Sequence, residues 1–346
     1  MTRTHMRIGI VLTVLALVAA ACSSQPASKE VVLLTHTSFA LSESVLESFT
    51  QQTGLEVVVQ TSGDAGTMIN QAILTKDNPI ADVIFGIDNT FLSRAIDSEI
   101  FTPYTPADIV EVDDQLRISG DIVTPIDFGD VCVNYDIASL EALGVPPPTS
   151  IDELTDPRYE DMLVVEDPAT SSPGLAFLLA TIDAFPEGSS YDWKAYWADL
   201  FDNGVSVASG WSEAYTTLFS QSGGDRPLVV SYASSPPAEV LFGELTEAPT
   251  GIVTDGCFRQ IEYAGVLSGA SNEAGAEAFI DFLLSRPVQE DIPLNMFVYP
   301  ARRGIDLPPV FEEFTVLPDA PTLMDPDMID SNRERWIQEW TELARS

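Results

Sequence analysis

The serine best suited to nucleophilic chemistry lies in the stretch SGWSEAY, Ser209–Tyr215. Gly210, Trp211 and Ser212 match the start of G-x-S-x-G, the strained turn that presents a catalytic serine, but Ala214 stands where the second glycine belongs. A serine hydrolase also needs a base, usually histidine. The chain has two histidines, His5 and His36. His5 falls in an N-terminal segment with the layout of an export signal, so only His36 remains, distant in sequence from Ser212. A Ser212 hydrolase is therefore the disfavoured alternative, and no catalysis is expected. Neither H-E-x-x-H nor G-x-x-x-x-G-K-[ST] occurs, which removes the zincin and phosphate-loop signatures. Three cysteines and two histidines do not supply a clustered zinc-ligand set, so neither metal nor cofactor is expected.

The cysteines divide by position. Arg3 and Arg7 lead into IGIVLTVLALVAAAC, a short apolar run ending in small residues and Cys22. That is the layout of a secretory signal peptide over residues 1–21, too short for a spanning helix. Cysteine after small residues looks like a lipobox, so Cys22 is the expected lipidated first residue, with residues 22–30 as a small, polar tether. Outside the cytoplasm the remaining pair, Cys132 and Cys257, is expected to form a disulfide. The alternative is two buried thiols.

The formal net charge is −37, from 53 acidic and 16 basic residues. Nucleic-acid phosphates need basic surface, so that partner class is excluded, and contact with anionic lipid heads is disfavoured.

These residues must be positioned by a regular framework. VVLLT (Val31–Thr35) reads as a buried parallel strand, SESVLESFTQQTG as a helix capped by Ser42 and Gly54, and LEVVVQ as a second strand. TMINQAIL then reads as a helix and ADVIFGI as a third strand. This alternation means a parallel α/β sheet, with ligands bound beyond the carboxyl ends of its strands. His36, Asp64 and Asp88 stand there. A second α/β unit follows, and CFRQIEYAGVLSGA (Cys257–Ala270) reads as a strand leading back to the first. Trp336, Ile337, Trp340 and Leu343 share one face of a closing helix over about 327–344 and are expected to pack.

In the second unit three strand-to-helix turns, TSSPG, SGWSEAY and SYASSPPAE, carry hydroxyls, glycine or aromatics. Unpaired N–H groups at helix starts favour anions, although serine there also serves simply as an N-cap. Three such turns in succession point to a shared polar site.

With these units the stretches THTSFA, ADVIFGIDNTFL, PIDFGDVCVNYD, EDPATSSPGLAFLL, SGWSEAY, VVSYASSP, IPLNMFVYP and RERWIQEWTELA run in order along most of the chain. Together they resemble the extracellular solute-binding proteins of ABC transporters, and at finer grain their thiamine-binding members. The resemblance implies an α/β, two-lobed periplasmic-binding-protein-like (venus flytrap) fold with hinge crossings. Lobe 1 is expected at 31–125 plus 258–310, lobe 2 at 126–257, and a C-terminal segment, 311–346, packing on both. It implies thiamine or thiamine phosphate as ligand, a permease and its ATPase as partners, an extracytoplasmic, lipid-anchored location and a monomer. Carried over by motif, Tyr232 and Phe297 would hold the aminopyrimidine, Ser171, Ser172 and Trp211 would serve the phosphate side, and Asp64 would be a site carboxylate. Phe297 departs from a family tryptophan, and His36 and Phe128 from frequent tyrosines. Thiamine's thiazolium suits aromatic faces, with Asp64 or Asp88 as countercharge. The alternative on this fold is a ferric-ion or polyamine carrier. The adjacent tyrosines common in ferric carriers do not occur in this chain.

Overall fold

The computed structural model describes residues 28–345 except 119 and 121. The expected signal peptide, Cys22 and most of the tether lie outside the described residues. No helix among the described residues is long and apolar enough to cross a membrane.

The chain opens with β1 (Glu30–Thr35), α1 (Glu43–Thr53), β2 (Glu56–Thr61), α2 (Ala65–Leu74), β3 (Val83–Asp88), α3 (Leu92–Asp97) and β4 (Phe101–Thr102). Then come β5 (Thr124–Asp136), α4 (Ile137–Leu143), β6 (Leu163–Glu166), α5 (Ser172–Ala184), α6 (Trp193–Asp202) and β7 (Ser206–Ala208). A single turn, α7 (Trp211–Glu213), precedes β8 (Leu228–Tyr232), α8 (Pro236–Phe242) and β9 (Thr250–Leu267). The chain closes with α9 (Glu273–Leu283), α10 (Arg286–Asn295), β10 (Tyr299–Pro300), α11 (Pro309–Phe314) and α12 (Pro326–Leu343).

Local sequence explains the elements that matter for the site. β3, VIFGID, is buried at every position, as an apolar run inside a sheet must be. α1 stops because Gly54 adopts φ +73° and its N–H returns to Thr50 O. In α5 the Ser171 hydroxyl accepts from Gly174 N and Pro173 fills the first turn. Its sequence, SPGLAFLLATIDA, is apolar nearly all round, so it lies buried rather than on one face of the molecule.

The strands join one mixed sheet in the order β2-β1-β3-β9-β5-β8-β6-β7. Lobe 1 contributes the parallel β2, β1 and β3, with β9 antiparallel to β3. Lobe 2 contributes β8, β6 and β7, also mutually parallel, with β5 antiparallel to β8. The long strands β5 and β9 run through both lobes as an antiparallel pair, and their ladder breaks between Val131 and Val133. On the β9 side that break contains Gly256, at φ +71°, and Cys257. Cys132 and Cys257 are bonded within it, their Cα atoms 4.5 Å apart.

Two details differ from the sequence expectation. β9 begins at Thr250, seven residues before the expected Cys257, because Thr250–Val253 pair with Val133–Asp136 of β5 before the break. SGWSEAYTTLF does not form a regular helix, since the turn at Trp211 widens into a π-helical stretch over Ala214–Leu218. Ser209 fixes this start, both N and Oγ donating to Glu213 Oε2 at 2.8 and 2.7 Å. π-Helical turns of this kind often mark functional positions.

α12 spans the lobes. Trp340 packs edge-on against Trp197 of α6 at 5.3 Å, and Arg333 Nη1 donates to Ser93 Oγ of α3 at 3.1 Å. Trp336 and Trp340 are both buried, the packing role expected of them.

Candidate functional site

A cavity of about 400 Å³ opens between the lobes. His36 and Asp64 enter from the carboxyl ends of β1 and β2, Trp211 and Tyr232 from the ends of β7 and β8, Glu262 from β9 and Phe297 from the segment after α10.

Trp211 is half-buried, stacked on Tyr215 with ring centres 4.9 Å apart and planes 16° apart. Its indole Nε1 donates to Ser231 Oγ at 2.9 Å, which fixes the ring plane. Tyr215 in turn donates to Glu239 Oε1 at 2.8 Å. Tyr232 stands opposite β9, its hydroxyl donating to Gln260 Oε1 at 3.2 Å. Phe297 holds φ +55°, a conformation a bulky side chain rarely adopts. Its carbonyl accepts from Ser234 Oγ at 2.7 Å, which helps maintain that geometry. Backbone outliers imposed by surrounding structure concentrate at ligand sites. The exposed Phe242 meets the Phe297 ring at 5.6 Å, so an aromatic pair lies at the cavity mouth.

Asp64 ties the lobes together. Its Oδ1 accepts from Ala65 N at 2.9 Å, at the start of α2, and its Oδ2 accepts from Trp211 N at 3.0 Å across the cleft. Gly210 permits this approach, because a Cβ there would meet Asp64 Oδ2 at 2.9 Å. Gly66 N donating to Thr170 O at 3.0 Å is a second tie on the same side.

The floor of the cavity is a buried acid–base cluster. His36 Nε2 lies 3.4 Å from Glu262 Oε1, and His36 Nδ1 accepts from Ser38 N at 3.2 Å. Burial works against the imidazolium, but the Glu262 carboxylate outweighs it and raises the His36 pKa. Burial likewise works against the Glu262 charge, yet His36 holds its carboxyl below the ordinary range. Behind them, burial and then the Glu262 charge push the Asp127 pKa well above the ordinary carboxylate range. The His36 ring fits because residue 86 is glycine, at φ +94°, where a Cβ would meet His36 Cδ2 at 2.1 Å.

The structure brings six of the expected site residues to the cavity: His36, Asp64, Ser172, Trp211, Tyr232 and Phe297. It does not bring the other two. Ser171 is wholly buried and its hydroxyl caps α5 at Gly174 N. Asp88 is also buried, its Oδ1 accepting from Thr90 N, Thr90 Oγ1 and Phe91 N at 2.7, 2.5 and 3.1 Å. Burial raises its pKa to about 6. Asp64 reaches the cavity, but both of its oxygens already accept backbone N–H groups.

The carboxylate that sequence reasoning missed is Glu262. A lone acid in the otherwise apolar IEYAGVL is a readable signal, because an unpaired charge is rarely tolerated on a buried strand. Tyr215 was also missed, although it follows Trp211 by one helical turn. Ser212 lines the cavity, but the His36 nitrogens face Glu262 and Ser38, which leaves Ser212 without the base a hydrolase needs. Among the described residues no group of three or more His, Cys, Asp and Glu is arranged to hold a metal ion.

Residues 78–332 match the model of the bacterial extracellular solute-binding protein family. This chain belongs to that family. The solute-binding protein is 29% identical over 297 residues to the thiamine-binding periplasmic protein of Brucella melitensis, covering 86% of this chain and 85% of the relative. The corresponding Escherichia coli protein is 28% identical, covering 86% of each. A solved structure of a periplasmic thiamin binding protein matches the solute-binding protein with a TM-score of 0.82 at 26% identity, over 91% of this chain and 96% of the other. The two-lobed α/β fold expected from the sequence is the fold of these relatives.

Proposed function

We propose that this solute-binding protein captures thiamine or a thiamine phosphate outside the membrane and delivers it to an ABC permease driven by its ATPase. The observation that carries the reading is the lining of the interlobe cavity, where the rings of Trp211, Tyr232 and Phe297 stand around the buried Glu262 carboxylate. Thiamine pairs a flat aminopyrimidine with a permanent thiazolium cation, and aromatic faces beside a carboxylate suit both. The similarity to thiamine-binding periplasmic proteins over most of the chain supports the same reading. Asp64 and Glu262 are the candidate countercharges, Glu262 with its Oε1 facing His36 at 3.4 Å, because both line the cavity and Asp88 does not reach it. The protein acts as a monomer held to the membrane by lipid on Cys22.

The reading is tested by titrating the purified protein with thiamine, spermidine and ferric citrate while following tryptophan fluorescence. Submicromolar thiamine binding with no comparable response to the other two is expected. Tight spermidine or ferric binding without thiamine binding defeats the proposal. For the anchor, Cys22→Ser is expected to move the protein from the membrane to the soluble fraction.

A further inference from the structure

We propose that Gly66 is the residue that lets the two lobes lock shut beside the cavity, so that it sets how long the solute stays bound without lining the site. The inference rests on the two-lobed fold and takes thiamine, the solute of the reading above, as its probe.

Gly66 is the second residue of α2, is buried, and is not among the residues that line the cavity. An N–H in the first turn of a helix has no partner within that helix. The N–H of Gly66 crosses to lobe 2 and donates to Thr170 O at 3.0 Å. The opposite crossing is made two residues earlier in lobe 1, where Asp64 Oδ2 accepts from Trp211 N of lobe 2 at 3.0 Å. Each lobe thus satisfies a backbone donor of the other, and neither donor keeps its partner when the lobes part. The acceptor on lobe 2 belongs to a braced rim. Asp167 O accepts from Thr170 N and Ser171 N at 3.1 and 3.0 Å, and Asp167 Oδ1 accepts from Ala169 N at 2.8 Å. Thr170 Oγ1 donates to Ser209 O at 2.8 Å, which ties this rim to the turn that carries Gly210 and Trp211.

Only glycine fits this seam. A Cβ on residue 66 would stand 2.9 Å from Ala169 O, Thr170 C and Thr170 O. All three are backbone atoms of the braced rim, so the overlap is relieved by parting the lobes rather than by turning a side chain. Gly210 makes the matching approach from lobe 2, but a Cβ there would meet the Asp64 side chain, with Oδ2 at 2.9 Å, and a side chain can turn aside. Within α2 itself alanine is the better residue, because glycine weakens a helix. Gly66→Ala therefore moves two properties in opposite directions: the helix gains and closure loses. A solute arrives while the cleft is open and leaves only when it reopens, so the loss falls on the dissociation rate.

The experiment measures thiamine association and dissociation by stopped-flow tryptophan fluorescence for the unaltered protein, Gly66→Ala and Gly210→Ala, with thermal unfolding of each in the absence of thiamine. Gly66→Ala is expected to release thiamine at least about tenfold faster, with an association rate within about twofold and a thermal midpoint no lower than that of the unaltered protein. Gly210→Ala, whose φ of 179° admits alanine, should release it faster by a smaller factor, about threefold. Small-angle scattering at saturating thiamine should give a larger radius of gyration for Gly66→Ala. Release at the unaltered rate from a Gly66→Ala protein that keeps its thermal midpoint overturns the proposal, and so does a loss confined to association. Should that midpoint fall, Gly210→Ala decides, and release at the unaltered rate there overturns it. Absence of thiamine binding to the unaltered protein defeats the thiamine reading instead, and the same rates are then compared with spermidine or ferric citrate, whichever binds.

Discussion

Replacing Asp88 by asparagine should stabilise this protein, and the gain should grow with pH. Asp88 is wholly buried behind the cavity, and burial raises its pKa from 3.8 to about 6. The folded protein therefore holds the proton more tightly than the unfolded chain does. The contribution of Asp88 to stability falls as pH rises from about 4 to about 6 and levels off above that. At about 1.4 kcal/mol per pKa unit, ionising Asp88 costs the fold about 3 kcal/mol at pH 8. Asparagine carries no charge, and its carbonyl can accept the three donors now on Oδ1, from Thr90 and Phe91. The side chain changes little in volume, so packing adds little to the difference. About half of the penalty is already present at pH 5, so the advantage of Asp88→Asn should rise by roughly 1.4 kcal/mol between pH 5 and pH 8. Urea unfolding of both proteins at the two pH values, followed by tryptophan fluorescence, measures it. The difference between the two proteins removes the other buried acids from the comparison. A gain independent of pH, or a loss at pH 8, would refute the reasoning.

Four further outcomes follow from the geometry. Trp211→Ala removes the ring stacked on Tyr215 and should weaken thiamine binding by about 1–2 kcal/mol, up to roughly thirtyfold by titration calorimetry. Unchanged affinity would remove Trp211 from the site. Glu262→Gln should lower the His36 pKa, because the carboxylate is what raises it; imidazole proton NMR can follow His36, the one histidine among the described residues, and an unshifted titration would contradict the pairing. Reducing the Cys132–Cys257 bond, which spans 125 residues, should cost up to about 5 kcal/mol of stability by loop entropy, read as a lower urea midpoint. Gly86→Ala combines a φ of +94° with a Cβ 2.1 Å from His36 Cδ2. It should displace the imidazole and lower stability by at least about 2 kcal/mol, checked by thermal unfolding.

The sequence revealed the framework of this fold wherever one local signal decided the outcome. VVLLT and ADVIFGI read as buried strands because burial on both faces leaves no polar alternation, and both are strands of the central sheet. The helical spacing of Trp336 and Trp340 gave α12 within one residue at each end. What depends on distant pairing was hidden. Thr250–Val253 leads into the turn-like Thr254–Gly256, and its pairing with β5 is what makes it strand. Asp64 was legible as a carboxylate at a strand end, but not its bond across the cleft, since Trp211 lies 147 residues on. Ser171 and Ser172 look alike in sequence, and the cap geometry of α5 separates them: one hydroxyl turns back to Gly174 N, while the other residue reaches the cavity. Glu262 carried a signal of its own, a charge inside an apolar strand, whose meaning needed His36 and Asp127 beside it.

The shared pair β5 and β9 also dictates an order of assembly. The lobe 1 sheet lacks the strand beside β3 until the part of β9 after Phe258 has been made, since Ile84 pairs with Gly265 and Asp88 with Glu262. Lobe 2 has no such gap: its β6, β7 and β8 and the facing stretches of β5 and β9 all lie between Val131 and Cys257. As the chain emerges from its N-terminus, the later half therefore completes first, and the earlier half waits with an unpaired edge on β3. Pairings so distant in sequence make slow folding steps and expose a strand edge meanwhile. Pulse-labelled hydrogen exchange should find amides of β6 and β8 protected before those of β1 and β3.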